Sequence, residues 1–497
     1  MTYPNRPSQA RSEFLPQRVT LSNEDMRAGP SRLYQSLREQ YGPVVPIYLD
    51  PDGGEHGIPA WLVIGYAELA EVCNNEQLYS RDSRYWRELA EGRVKPDWWL
   101  LPQIIHRDNT RFADAPYHQP RRDALIRALR QIDLKQTRQL VETYADLLID
   151  RFCKLGSAEL IAEYARPLPL LVLARLFGLR GPAEEARLLD TIHRMLAGGR
   201  QAQRADHEIT QILTQLVSDR RETPDEDVAS WLIAAAPGLD NTAVRQDLWL
   251  MLNSGAGAST GLIANTLAEL ATDRRLSGAL NSGTVTLDAV LRTTKWNKPP
   301  AENVMGAFPK QDVVLGGRHI QAGDMLVLGL GGANHDPALG QGADREEYTR
   351  SNDSNFAHGA GAHRCPNPAR DLGELIATVA VDRLWARCHH MALADPKPLS
   401  WGPSFVVRAL TALHVRFTPA EPGERRAEVP SAFGGPSWQS PSHSSTTTTP
   451  PLTTWGSPLL SSGSTPNPET SSATSEPSTH RGRSSRWSSL IKWWRGR

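Results

Sequence analysis

Cysteine is scarce in this chain, with four residues in 497. Cys73, Cys153, Cys365 and Cys388 lie far apart, so they make neither a disulfide framework nor a C-x-x-C zinc pair. That pattern argues for a reducing compartment. Net charge is also missing: 55 Lys and Arg balance 55 Asp and Glu, so there is no global pull towards nucleic acid. No apolar run reaches the length of about 18 residues that a membrane span needs. The first residues, M-T-Y-P-N-R-P-S-Q-A-R, lack the apolar core of a secretion signal, which points to the cytoplasm. What is present, 39% hydrophobic residues over this length, suffices for one large globular domain and something extra.

The most informative stretch is Phe356 to Ala369, F-A-H-G-A-G-A-H-R-C-P-N-P-A. Gly359, Ala360 and Gly361 precede the single Cys365, and glycine permits a tight bend close to a flat ligand. Pro366 and Pro368 suit a sharp entry into a helix expected over Arg370 to Trp385. Backbone N–H groups at such a helix N-terminus can stabilise a thiolate. One thiolate with no second cysteine nearby suits a single axial bond to haem iron. Cys73, Cys153 and Cys388 have no such context and read as small buried hydrophobes.

Gly359, Gly361, His363 and Cys365 fall at the spacings of F-G-x-G-x-H-x-C-x-G, and the loop resembles the cysteine-ligand loop of the cytochrome P450 family. His358 stands where that family has Phe, and Asn367 replaces its last Gly. A second segment, Phe112 to Arg130, places His118 and Arg122 four apart on one helix face. Alone it reads as a solvated basic face. It also resembles the family helix whose H-x-x-x-R holds a haem propionate. The resemblance implies haem b as cofactor, Cys365 as the iron ligand, and His118, Arg122 and His363 on the propionates. Gly359 and Gly361 would shape the loop against the haem. No residue is assigned as catalytic.

Other segments resemble the family with departures. Helical periodicity runs from about Leu134 to Ala236, and a long helix is expected over Gln246 to Thr272. This helix carries N-S-G-A-G-A-S-T-G, where each glycine costs about 1 kcal/mol relative to alanine. Close packing or a groove for a ligand would explain them. The family's acid and alcohol for delivering protons to oxygen align with Gly257 and Ala258, so the pair is missing; Ser259 and Thr260 lie just beyond. In L-D-A-V-L-R, Ala289 stands at the Glu of E-x-x-R, while Arg292 remains with Asp288 four residues earlier. Ala307 stands where the family usually has a further propionate-binding Arg, so His118 and Arg122 are expected to carry more of that load. The irregular E-x-x-R, W-R-E-L-A-E-G-R-V (86–94) and the final strand region resemble an actinobacterial branch encoded beside G-protein-like signalling operons.

The expected architecture is mainly α with a small β region: a loose lead-in over 1–30 and a P450-like domain over 31–419. A Ser/Thr/Pro-rich disordered linker follows over 420–480. The basic segment 481–497 carries Trp487, Leu490, Ile491 and Trp494 on one helical stripe. It suits docking on an anionic membrane surface or on a signalling partner at the inner face of the membrane. The resemblance implies oxidation of a small organic molecule, with electrons from a separate ferredoxin and ferredoxin reductase and no nucleic-acid partner. The alternative is a haem-binding regulatory protein in a membrane-associated signalling complex with little monooxygenase activity.

Overall fold

A computed structural model describes residues 18–423 except 22–23, 27–29, 50–56, 99, 182–186, 189, 192–198, 340–351, 396–398 and 403. The linker 420–480 beyond residue 423 and the basic segment 481–497 lie outside the described residues, as do 1–17 and the turn at 50–54.

The strands are β1 Val19–Leu21, β2 Val44–Leu49, β3 Ile58–Val63, β4 Tyr79–Ser80, β5 Ser157–Glu159, β6 Asn303–Pro309, β7 Val313–Leu315, β8 Arg318–Ile320, β9 Leu326–Gly329, β10 Ala392–Leu393 and β11 His414–Arg416. Six of them form one sheet in the order β1-β2-β3-β9-β6-β4. The antiparallel β2–β3 pair is the expected hairpin, with Val44 opposite Val63 and Leu49 opposite Ile58. Both strands are apolar almost throughout because both faces of the sheet are covered. β1 pairs parallel with β2 and buries Leu21, so the lead-in, read from its polarity as loose, contains an edge strand. Its three residues are too short to show alternation.

Gly316 and Gly317, at φ +54° and +74°, make the β7–β8 turn that only glycine takes without strain. Trp86 and Trp98 are buried with ring centroids 6.2 Å apart, the anchoring expected of the connector. Trp99 lies outside the described residues.

The helices that position the site are α1 Pro30–Tyr41, α2 Tyr66–Asn74, α3 His118–Leu129, α4 Leu134–Ile149, α5 Pro167–Phe177, α6 Gly199–Glu222, α7 Val228–Ala235, α8 Asn241–Thr272, α9 Leu287–Asn297 and α10 Asn367–Arg387. The helical core packs α8 against α5 and α10, with Leu173, Leu248, Ile263, Leu267, Ile376 and Ala380 among its buried members. α8 begins five residues before the sequence signal because Asp240 caps it, accepting from the N–H of Ala243. At 32 residues it is about 48 Å long.

Two of its glycines are explained by packing. A Cβ on Gly261 would sit 2.9 Å from Cβ of Pro300, and one on Gly255 would sit 3.1 Å from a Leu173 methyl. Near its start, the buried Asp247 accepts from both N–H and Oγ1 of Thr110, at 2.8 and 2.9 Å, and from Arg121 Nε. That ion pair ties α8 to α3. No helix among the described residues is long and apolar enough to cross a membrane.

Candidate functional site

The loop before α10 is closed by its own backbone. Gly359 donates to the Phe356 carbonyl at 2.8 Å, and Cys365 donates to the His358 carbonyl at 2.8 Å. Gly359 and Gly361 adopt φ +70° and +67°, the left-handed region that disfavours a Cβ. Gly361 carries a second constraint: a Cβ there would lie 1.7 Å from the Cys73 carbonyl oxygen at the end of α2. Its close approach is therefore to the protein's own backbone, where a ligand was the sequence expectation. Pro366 caps α10. Cys365 is half-buried, and enclosure of the sulfur pushes its thiol up to about 11 against the opposing pull of Arg122. The helix N-terminus does not outweigh that enclosure; metal coordination would, since a coordinating thiol is deprotonated outright.

His118 opens α3, one turn from Arg122, whose Nη2 donates to the Arg364 carbonyl at 2.6 Å. The His118 ring stacks on His363, centroids 3.9 Å apart and planes 18° from parallel. The structure thus brings His118, Arg122, His363 and Cys365 together. It also brings two residues that sequence reasoning missed. Arg81 leaves β4 with its N–H held by Asp114 at 3.2 Å, and its Nη2 lies 3.9 Å from Cys73 Sγ. Arg111 sits in the turn before α3, its guanidinium 5.3 Å from the Phe112 ring centroid. Ala307 supplies no cation, but these two do. His118 and Arg122, expected to carry more of the load, are joined by these two further cations beside them. The only local signal was two arginines in loops, which reads as ordinary surface charge.

Electrostatics confirm the convergence. Burial, then the charges of Arg81, His118, Arg122 and Arg111, holds His363 down at about 2. Burial and Arg122 lower His118, and burial with Arg81 and Arg107 lowers Arg111 to about 10. Both imidazoles are therefore neutral N–H donors. Both nitrogens of His118, Nε2 of His363 and Nη1 of Arg81 are buried without a hydrogen-bond partner. Such orphans are rare and mark a site built for an anion. Glu76, His118 and His363 have ligand atoms within 4.8 Å of one another, but the surrounding guanidinium groups oppose a bare cation there. A cluster of buried donors beside a half-buried cysteine has the chemistry that would fit a haem.

Gly361→Ala places a methyl on a carbonyl oxygen in addition to a left-handed backbone cost of about 1–2 kcal/mol. The variant should lose most of its bound haem and melt below wild type. Gly359→Ala, whose Cβ would be 3.7 Å from Arg364 Cα, should suffer only the backbone cost. Haem content at purification and thermal melts read the difference.

No family model matches the chain. The chain is 28% identical over 413 residues to the cytochrome P450 monooxygenase PikC of Streptomyces venezuelae, covering 81% of this chain and 94% of that one. It is 26% identical to a vitamin D(3) 25-hydroxylase of Pseudonocardia autotrophica, covering 78% and 94%. Among solved structures, CYP154A1 of Streptomyces coelicolor A3(2) superposes with a TM-score of 0.68 at 25% identity, covering 80% of this chain and all of the other. With the cysteine loop, the cationic cluster and the helical fold in place, the chain belongs to the cytochrome P450 family: a monooxygenase with haem b as its cofactor, oxidising small organic molecules.

Proposed function

We propose that Cys365 is the axial ligand of the haem iron, and that His118, Arg122 and His363, joined by Arg81 and Arg111, hold the propionates. The convergence of unpartnered buried donors beside the only cysteine on a glycine-bent loop carries this reading. Haem b bound there supplies the reduction and cleavage of dioxygen. The chain's own residues orient it: the neutral imidazoles donate N–H groups, the guanidinium groups supply charge, and the loop holds the sulfur. Electrons come from a separate ferredoxin and its reductase. A haem-binding regulatory role has no observation of its own to favour it.

The finer part of the proposal concerns proton delivery. Ser254 and Ala258 are exposed and Gly257 half-buried on one face of α8, while Ser259 and Thr260 are buried. A Cβ on Gly373 of α10 would meet Ser259 Oγ at 3.4 Å, so that hydroxyl faces α10. These placements support the register in which Gly257 and Ala258 occupy the acid and alcohol positions. Neither can move a proton, so oxygen activation by this chain is poorly coupled.

Three outcomes test these assignments. Reduced wild-type protein with carbon monoxide absorbs at the thiolate-type wavelength, and Cys365→Ala loses that band; a histidine-type spectrum in wild type would sink the ligand assignment. Arg81→Ala with Arg111→Ala removes two charge-assisted contacts worth about 1.5–3 kcal/mol each. Transfer of haem to an apoglobin acceptor should then quicken at least tenfold, and an unchanged rate refutes their role. With a surrogate ferredoxin system most electrons end in peroxide, whereas hydrogen peroxide supplied directly supports relatively more product. Gly257→Glu with Ala258→Thr raises coupling, because general acid–base groups contribute about 10²–10⁴-fold. Efficient NADPH coupling in wild type overturns this part.

A further inference from the structure

Ala289 removes the carboxylate of the E-x-x-R pattern, yet α9 still presents cations on one face, Arg292 and Lys295, towards the cysteine loop. Lys295 is the better enclosed, with its side chain 6% exposed. Its Nζ donates to Asp353 Oδ1 at 3.1 Å and to Glu374 Oε1 at 2.8 Å. Asp353 lies in the chain leading into the cysteine loop, and Glu374 lies on α10, two turns after Cys365. The same Glu374 oxygen is 3.0 Å from His358 Nε2, and the His358 carbonyl accepts the Cys365 N–H. One ammonium therefore joins the segment before the cysteine to the helix after it.

Neighbouring contacts run the same way. Trp296 Nε1 donates to the Asn352 carbonyl at 3.2 Å. Asn334 donates to the carbonyls of Lys295 and Trp296 and accepts the N–H of Phe356 at 2.7 Å. The small cavity beside this cluster, about 50 Å³ and lined by Asp288, Arg292, Lys295 and Glu374 among others, holds about one or two waters. That is too little for a substrate, so these charges act on the protein itself.

We propose that Lys295 is the positioning residue of the iron-ligating loop, bracing Cys365 from both sides through Asp353, Glu374 and His358 and setting the net charge next to the sulfur. The proposal rests on the assignment of Cys365 as ligand. Glu374 is ionised in this setting: burial opposes its charge, but hydrogen bonds from His358 and Lys295 hold it at about 2. Glu374 reaches the Cys365 backbone through His358, whose carbonyl accepts the Cys365 N–H. Lys295 offsets the Glu374 charge, and His358 stands at a loop position where the family has an apolar Phe. The brace therefore has an electronic consequence as well as a mechanical one. Removing the cation leaves more negative charge at the sulfur and favours the oxidised metal; removing the carboxylate does the reverse.

The test uses full-length, haem-loaded protein: wild type, Lys295→Met, Lys295→Arg, Glu374→Gln, His358→Phe and Cys365→Ala. Two quantities are read: the ratio of thiolate-type to other carbon monoxide bands, and the midpoint potential of the haem. Lys295→Met should at least halve the band ratio, and Lys295→Arg should recover most of it. Lys295→Met should lower the potential and Glu374→Gln raise it, each by roughly threefold in the redox equilibrium, about 28 mV at 59 mV per tenfold. A purely structural role would move both variants in one direction, and that result overturns the proposal. So does a Lys295→Met protein with wild-type ratio and potential. Should Lys295→Met fail to accumulate with haem, unchanged band ratios and potentials in both Glu374→Gln and His358→Phe overturn it instead. If wild type itself matches Cys365→Ala and has no thiolate-type band, the ligand assignment fails, and with it the basis of this one.

Discussion

Gathering Arg81, Arg111 and Arg122 around two stacked imidazoles costs free energy, because like charges repel and burial strips away water. The depressed pKa values of His118 and His363 record that cost. A protein retains such a cluster when an anion offsets it, and two carboxylates at one edge of a haem would do so. Much of the architecture serves to hold these cations in place. Arg81 hangs from the edge of the main sheet, Arg111 from the turn before α3, and His118 and Arg122 from α3 itself. Carboxylates anchor this frame: Asp114 accepts the Arg81 N–H, and Asp247 accepts the Thr110 N–H and the Arg121 side chain.

The cysteine loop meets this cluster by contact too close for any side chain. Gly361 lies against the Cys73 carbonyl near the end of α2, so α2 and the loop act as one wall. Lys295 joins the segment before Cys365 and the helix after it to α9. The loop is thus held by a backbone wall and by an ion-pair network. This arrangement explains how the loop tolerates Ala289 and His358. Lys295, nearly two turns along α9 from Ala289, meets carboxylates of other elements, and the histidine has joined the brace.

α8 has a different balance. Gly255 and Gly261 are there for packing against Leu173 and Pro300, and Ser259 faces α10. Its open face is left with Ser254, Gly257 and Ala258.

The sequence alone determined whatever depends on spacings of a few residues. It placed the bend before Cys365, the His118–Arg122 helix face, the β2–β3 hairpin, the Gly316–Gly317 turn and the long helix, because turn chemistry and helical periodicity are local. It erred at element ends, where a cap such as Asp240 extends α8, and at β1, whose three residues are too few to show a period. Tertiary structure alone decided the rest. Arg81 and Arg111 share a site because a sheet edge and a turn pack together, and neither position carries a local mark. Lys295 meets partners 58 and 79 residues away. Ion pairs across such separations follow from how helices stack, and a motif read position by position registers the missing Glu while passing over the lysine two turns on.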